Sequence, residues 1–185
     1  MPAELTDPTQ YIVKPLEKES RAAFTCGEEA LDRYFRERAS RDMQNGLAAV
    51  FIVVPENDLR NIVGFFTLSS QQIACAALPE ELRKKTGRYS VVGVTLLGRM
   101  AVAKEFQKRR LGRFILFAAL CEAWKATSHV SSFAVVVDAK SEGVVPFYEK
   151  YGFRRLAANR LMLPMKTIAD LIGSHGAGEV AGTPE

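Results

Sequence analysis

The chain is predicted to be an α+β protein, with a mixed central sheet and helices on its faces in an α/β three-layer arrangement. Three observations lead there. The element order is β, α, β, β, β, α, β, α, β, a meander followed by βα units, so antiparallel and parallel pairs must coexist. Short β-branched runs such as Ala48–Val54 and Ser132–Val137 read as buried strands. The segment Leu111–Thr127 is apolar nearly all round, which predicts a helix buried on more than one side.

Each element follows from local chemistry. Tyr11–Pro15 reads as a first strand. Phe24-Thr25-Cys26-Gly27 leads into a helix over Glu28 to about Gln44. Two acids stand in its first turn, Leu31, Tyr34, Phe35 and Arg38 share one face, and Asn45-Gly46 forms the stop. Ala48–Val54 ends at Pro55, Glu56–Asn61 is a polar hairpin loop, and Ile62–Ser70 is the return strand. Ile73–Leu78 is ambiguous, and Pro79–Arg88 is polar and basic, a short helix or a loop. Ser90–Val102 is the central strand. Ser141–Lys150 is a shorter helix, Phe153–Ala157 and Arg160–Lys166 are the last strands, and Thr167–Ile172 adds one helical turn. Residues 1–172 are expected to form a single domain, with Gly173–Glu185 a disordered tail.

Composition narrows the chemistry. The 185 residues are 48% apolar and 25% charged, with a net charge of +4, ordinary for a globular domain and compatible with an acidic partner. No apolar run approaches the roughly 20 residues needed to span a bilayer. The opening MPAELTDPTQ has neither a basic nor an apolar signal region, so a cytoplasmic location is expected, without membrane attachment. Three widely spaced cysteines indicate reduced thiols, and only two histidines exist, so no metal site is expected.

The stretch Leu96–Leu116, LLGRMAVAKEFQKRRLGRFIL, carries the most chemistry. An apolar strand runs into a very basic turn, Gln107–Arg113, and a long helix follows at once. Such a turn presents several backbone N–H groups and a helix N-terminus to one point, which suits a diphosphate. Lys104, Lys108, Arg109, Arg110 and Arg113 surround it with positive charge.

These residues resemble the GCN5-related N-acetyltransferases. That family carries a Gln/Arg-x-x-Gly-x-Gly/Ala pattern between its central strand and the next helix. Here Gln107, Lys108, Arg109, Arg110, Leu111 and Gly112 stand in its place, with Arg110 where the first glycine would be. A non-glycine residue tolerates positive φ poorly, so the turn geometry is in question. Phe147-Tyr148-Glu149-Lys150-Tyr151-Gly152-Phe153 resembles the family's late helix and the turn that follows.

A narrower likeness covers nearly the whole chain. It rests on Phe24-x-Cys26-Gly27-x-x-x-Leu31-Asp32, then Val94-x-x-Leu97-Gly98-Arg99-Met100-Ala101-Val102, then Pro146–Phe153. These resemble the acetyltransferase toxins of bacterial type II toxin–antitoxin pairs.

The resemblance implies two parallel strands that splay apart around the pantetheine arm of acetyl-CoA. Met100, Ala101 and Val102 would offer it backbone groups, with Phe147 also on the cofactor side. Gln107, Lys108, Arg109, Arg110, Leu111, Gly112 and Arg113 would hold the diphosphate. Tyr148 would be the general acid, since a phenol with a pKa near 10 is protonated at neutral pH. The implied acceptor is the α-amine of an aminoacyl-tRNA, with Arg33, Arg36 and Arg99 as candidate RNA contacts. The implied partners are a second copy of the chain and a ribbon-helix-helix antitoxin. Two alternatives stay open at this level: an ordinary acetyltransferase of a small amine or protein N-terminus, and a catalytically silent CoA-binding module.

Overall fold

A computed structural model describes residues 10–176. Seven strands are hydrogen-bonded in the order β1-β2-β3-β4-β5-β7-β6. They are β1 (Tyr11–Pro15), β2 (Ala49–Pro55), β3 (Gly64–Ala74), β4 (Val91–Val102), β5 (Ala134–Asp138), β6 (Arg154–Arg155) and β7 (Arg160–Pro164). The sheet is mixed, with parallel and antiparallel pairs, as the element order predicts. β1·β2, β2·β3, β5·β7 and β6·β7 are antiparallel. Helix α4 (Leu111–Ala126) is the crossover from β4 to β5. β1 is an edge strand, where Pro15 costs no ladder bond, and Pro55 closes β2.

The contacts divide the chain into two compact units. Of the described residues, one comprises 10–69 and 97–119 and the other 70–96 and 120–176, so β3 and β4 each contribute residues to both. In the first unit, α1 (Glu29–Arg33), a π-helical turn (Tyr34–Arg38) and α2 (Ala39–Gln44) follow one another without a break. Their apolar side meets β2 and β3. Phe35 lies stacked on Phe65 at 4.1 Å between centroids, and Phe24 meets both rings edge-on. Val50, Ile52, Val54 and Ala101 complete this core. α2 ends as expected at Asn45-Gly46. Gly46 takes φ +68°, and the Leu47 and Gly46 N–H groups reach back to the Asp42 and Met43 carbonyls. Gly64 permits a close crossing, because a Cβ there would stand 2.3 Å from Ile115 Cδ1 and 2.9 Å from the Ala101 carbonyl oxygen.

The second unit has its own core of Ile73, Leu78, Leu82, Val94, Ala134, Val136 and Met162. α3 (Glu80–Arg83) is one short turn. β4 and β5 are joined near their starts, where the Phe133 N–H donates to the Gly93 carbonyl at 2.8 Å. α5 (Val145–Lys150) is preceded by a 3-10 turn over Glu142–Val144, and α6 (Met165–Gly176) follows β7 directly.

Several boundaries differ from the sequence reading. Ile73 and Ala74 prolong β3, and Cys75–Ala77 forms a 3-10 turn. Arg38 is exposed, because the π-turn rotates it off the face that Tyr34 and Phe35 share. β7 stops at Pro164, and the helix expected as one turn over Thr167–Ile172 runs from Met165 to Gly176. Gly173 to Gly176 therefore close a helix instead of opening a tail, and the rest of that expected tail lies outside the described residues.

Candidate active site

In the first unit, β4 ends at Val102, a 3-10 turn spans Lys104–Phe106, and α4 begins at Leu111. Between them the chain takes a left-handed conformation twice, at Lys108 (φ +64°) and Arg110 (φ +60°). Each such residue costs about 1–2 kcal/mol when it carries a Cβ. Arg110 thus adopts positive φ at the position where the motif's glycine would stand. Successive N–H groups around left-handed residues form a concave anion-binding nest. No backbone hydrogen bond among the described residues occupies the N–H groups of Lys108, Arg110, Leu111 or Gly112. The side chains of Lys108, Arg109, Arg110 and Arg113 are all exposed, and the Arg109 guanidinium lies over the Phe106 ring at 5.3 Å. The turn combines fixed N–H donors, a helix start and exposed cations, and this is the donor set a diphosphate needs.

Gln107 plays a different part from its neighbours. Its Nε2 donates to the Cys26 carbonyl at 2.7 Å and to the Val102 carbonyl at 3.1 Å. The side chain braces the turn, and one of the three backbone carbonyls expected to face a ligand, that of Val102, already accepts it. Behind Cys26 stands Asp32, only 5% exposed. Its carboxylate accepts the Cys26 N–H and the Thr25 hydroxyl, each at 2.7 Å. Burial works against that charge, but these donors and nearby Arg36 hold its pKa below the usual carboxylate value. Sequence reading placed Asp32 in a motif without a role. The signal was an acid in the first helical turn, seven residues after a threonine. The Cys26 thiol is pushed up to about 11 by burial and by Asp32, which removes it as a nucleophile.

Of the three arginines named as RNA contacts, Arg33 and Arg36 are exposed on the first helical stretch. Arg99 is half-buried and stacks its guanidinium over the Tyr34 ring at 3.7 Å. The Tyr34 hydroxyl is buried without a hydrogen bond, and its pKa is raised to about 12, chiefly by burial. Arg99 is thus committed to an aromatic face.

In the second unit, Tyr148 sits in α5, 8% exposed. Its placement follows from how the helix ends. Gly152 takes φ +89°, its N–H bonds the Glu149 carbonyl, and the Phe153 N–H bonds the Tyr148 carbonyl. That pattern is a Schellman ending, and its usual apolar contact is the Tyr148–Phe153 ring pair at 5.5 Å. Phe147, half-buried, meets Tyr148 edge-on at 5.2 Å. Arg155 reaches Glu142 at 3.0 Å and Glu149 at 3.1 Å, tying the ends of this segment. Burial raises the Tyr148 phenol above its ordinary pKa, so it is protonated at neutral pH. Among the described residues no cluster of His, Cys, Asp or Glu is placed to hold a metal ion, and no helix is long and apolar enough to cross a membrane.

The sequence model of the family described as Acetyltransferase (GNAT) domain matches residues 48–155. A tRNA-acetylating toxin of Mycobacterium tuberculosis is 31% identical over 153 residues, covering 82% of this chain and 89% of that protein. Among solved structures, AtaT complexed with acetyl-methionyl-tRNAfMet superposes with a TM-score of 0.80 at 26% identity, covering 88% of this chain and 99% of that one. AtaTR bound with AcCoA gives a TM-score of 0.76 at 26% identity, over 89% and 99% of the respective chains.

Proposed function

The chain belongs to the GNAT acetyltransferases and uses acetyl-CoA, and we propose that it is a toxin that acetylates the α-amine of an aminoacyl-tRNA. The observation that carries this reading is its likeness, over 82% of its length, to a protein named for tRNA acetylation. The nest at Lys108–Gly112, with Arg109, Arg110 and Arg113, holds the diphosphate. Backbone groups of Met100 and Ala101 pair with the pantetheine arm like an added strand. Phe147 lines the cofactor side.

The chemistry is one acyl transfer. The neutral amine attacks the thioester carbonyl, forming the C–N bond, and a backbone N–H steadies the oxyanion. The C–S bond then breaks, and the departing CoA thiolate takes its proton from Tyr148. The amine gives up its own proton to solvent, and solvent returns one to the Tyr148 phenolate, restoring the acid for the next turnover. No strong base is required, since an α-amine has a pKa of about 7.7–8.0, and esterification of the neighbouring carboxyl lowers it further. A lysine side chain, near 10.4, would need one.

Arg33 and Arg36 contact the RNA. The working protein is a homodimer in the cytoplasm, held silent by a ribbon-helix-helix antitoxin. Induction in a host without the antitoxin tests the reading. Growth should arrest, and mass spectrometry of total tRNA should show acetylated aminoacyl ends within minutes. Normal growth with unmodified charged tRNA overturns the toxin assignment and leaves an acetyltransferase of another amine.

A further inference from the structure

We propose that Asp32 is a positioning residue for the diphosphate turn, acting through Thr25, Cys26 and Gln107 without touching acetyl-CoA. The proposal rests on the reading of Gln107–Arg113 as the diphosphate site. A carboxylate this buried persists only where its oxygens are satisfied, and both are. Oδ1 takes the Cys26 N–H and Oδ2 the Thr25 hydroxyl. Neither donor belongs to the helix that carries Asp32. Glu28 is the N-cap of α1, and Cys26 lies two residues before it, beyond the reach of a capping box. The carboxylate is therefore not serving its own helix. It fixes the strip Thr25–Cys26 just before Gly27 bends the chain at φ +86°.

That strip presents two carbonyls to the segment leading into the nest. The Thr25 carbonyl accepts the Lys104 N–H at 2.8 Å, and the Cys26 carbonyl accepts Gln107 Nε2 at 2.7 Å. Lys104 and Gln107 bracket the 3-10 turn, and Gln107 is followed at once by left-handed Lys108. The same Gln107 amide also reaches the Val102 carbonyl at the end of β4. Residue 107 is thus fixed from two sides before the strained turn begins. A small rotation there re-aims every N–H that follows. Asp32 anchors one of the two sides.

The test compares two donors, acetyl-CoA and S-acetylpantetheine, which keeps the thioester but lacks the diphosphate. Asp32→Ala should lower kcat/KM with acetyl-CoA about tenfold, mainly through KM, and stay within about twofold with S-acetylpantetheine. Gln107→Met, at an exposed position, should reproduce this split. Asp32→Asn, which keeps one acceptor and one donor for the same strip, should recover most of the loss. A merely structural role would depress both donors together, and that result, or no effect on either, overturns the proposal. Arg113→Ala separates the two levels of argument. If Arg113→Ala discriminates between the donors and Asp32→Ala does not, the relay is wrong and the diphosphate site stands. If neither discriminates, both fall. Should Asp32→Ala fail to fold, Thr25→Val, at an exposed position, is judged by the same criterion.

Discussion

At the scale of single residues, the proposed reaction turns on two positions. Tyr148 is a buried phenol whose pKa burial raises. The group is protonated below its folded pKa, which burial places above the ordinary phenol value, so its deprotonation should not depress kcat at neutral pH. Tyr148→Phe should retain acetyl-CoA affinity by calorimetry and lose about 10²-fold or more in kcat. Unchanged turnover would remove the phenol from the chemistry. Arg110 holds the opposite kind of information, since its backbone is strained and its side chain is free to reach an anion. Arg110→Gly should raise thermal stability by about 1 kcal/mol by relieving the left-handed conformation. It should weaken acetyl-CoA binding at the same time through the lost guanidinium. Arg110→Ala, which keeps the strain and loses the charge, should weaken binding without the gain.

At the scale of elements, two glycines set the positions of the working parts. Gly152 ends α5 so that Tyr148 and Phe153 meet. Gly152→Ala should cost about 1–2 kcal/mol and reduce kcat more than it raises KM for acetyl-CoA, because the displaced group is the proposed acid. Gly64 lets β3 pass close to α4 and the Ala101 carbonyl. Gly64→Ala should cost about 1–3 kcal/mol by overpacking, and Ile115→Val in the same chain should recover part of it, a pattern measured by denaturant unfolding. Much at this scale was legible beforehand. β1 and the Asn45-Gly46 stop fall where periodicity and turn chemistry put them, and β2, β4, β5 and α4 differ by one or two residues. The missed features have physical reasons. A π-turn adds one residue without altering composition. Pro164-Met165 is as apolar on the helix side as on the strand side. The bond from Gln107 to the Cys26 carbonyl spans 81 residues of sequence, so no local pattern announces it. Asp32 acquires its role only when the chain folds Thr25 and Cys26 against it.

At the scale of the whole molecule, a net charge of +4 is modest, so recognition of the proposed RNA acceptor must rest on local cations such as Arg33 and Arg36. With acetyl-CoA saturating, kcat/KM for an aminoacyl-tRNA should fall as salt rises, with a log–log slope of roughly −0.9 per phosphate contacted. A simple aminoacyl ester lacking RNA should show almost no such slope. Equal slopes for the two acceptors would place the RNA contacts elsewhere or deny them. The three cysteines bear on how such rates are read. Cys26 and Cys75 are buried, Cys121 is partly so, and burial pushes the Cys26 and Cys121 thiols up. An aromatic disulfide dye added to the native enzyme should therefore colour slowly on its own and promptly when CoA is released. A fast flash of colour before any substrate is present would report that the interior had come undone.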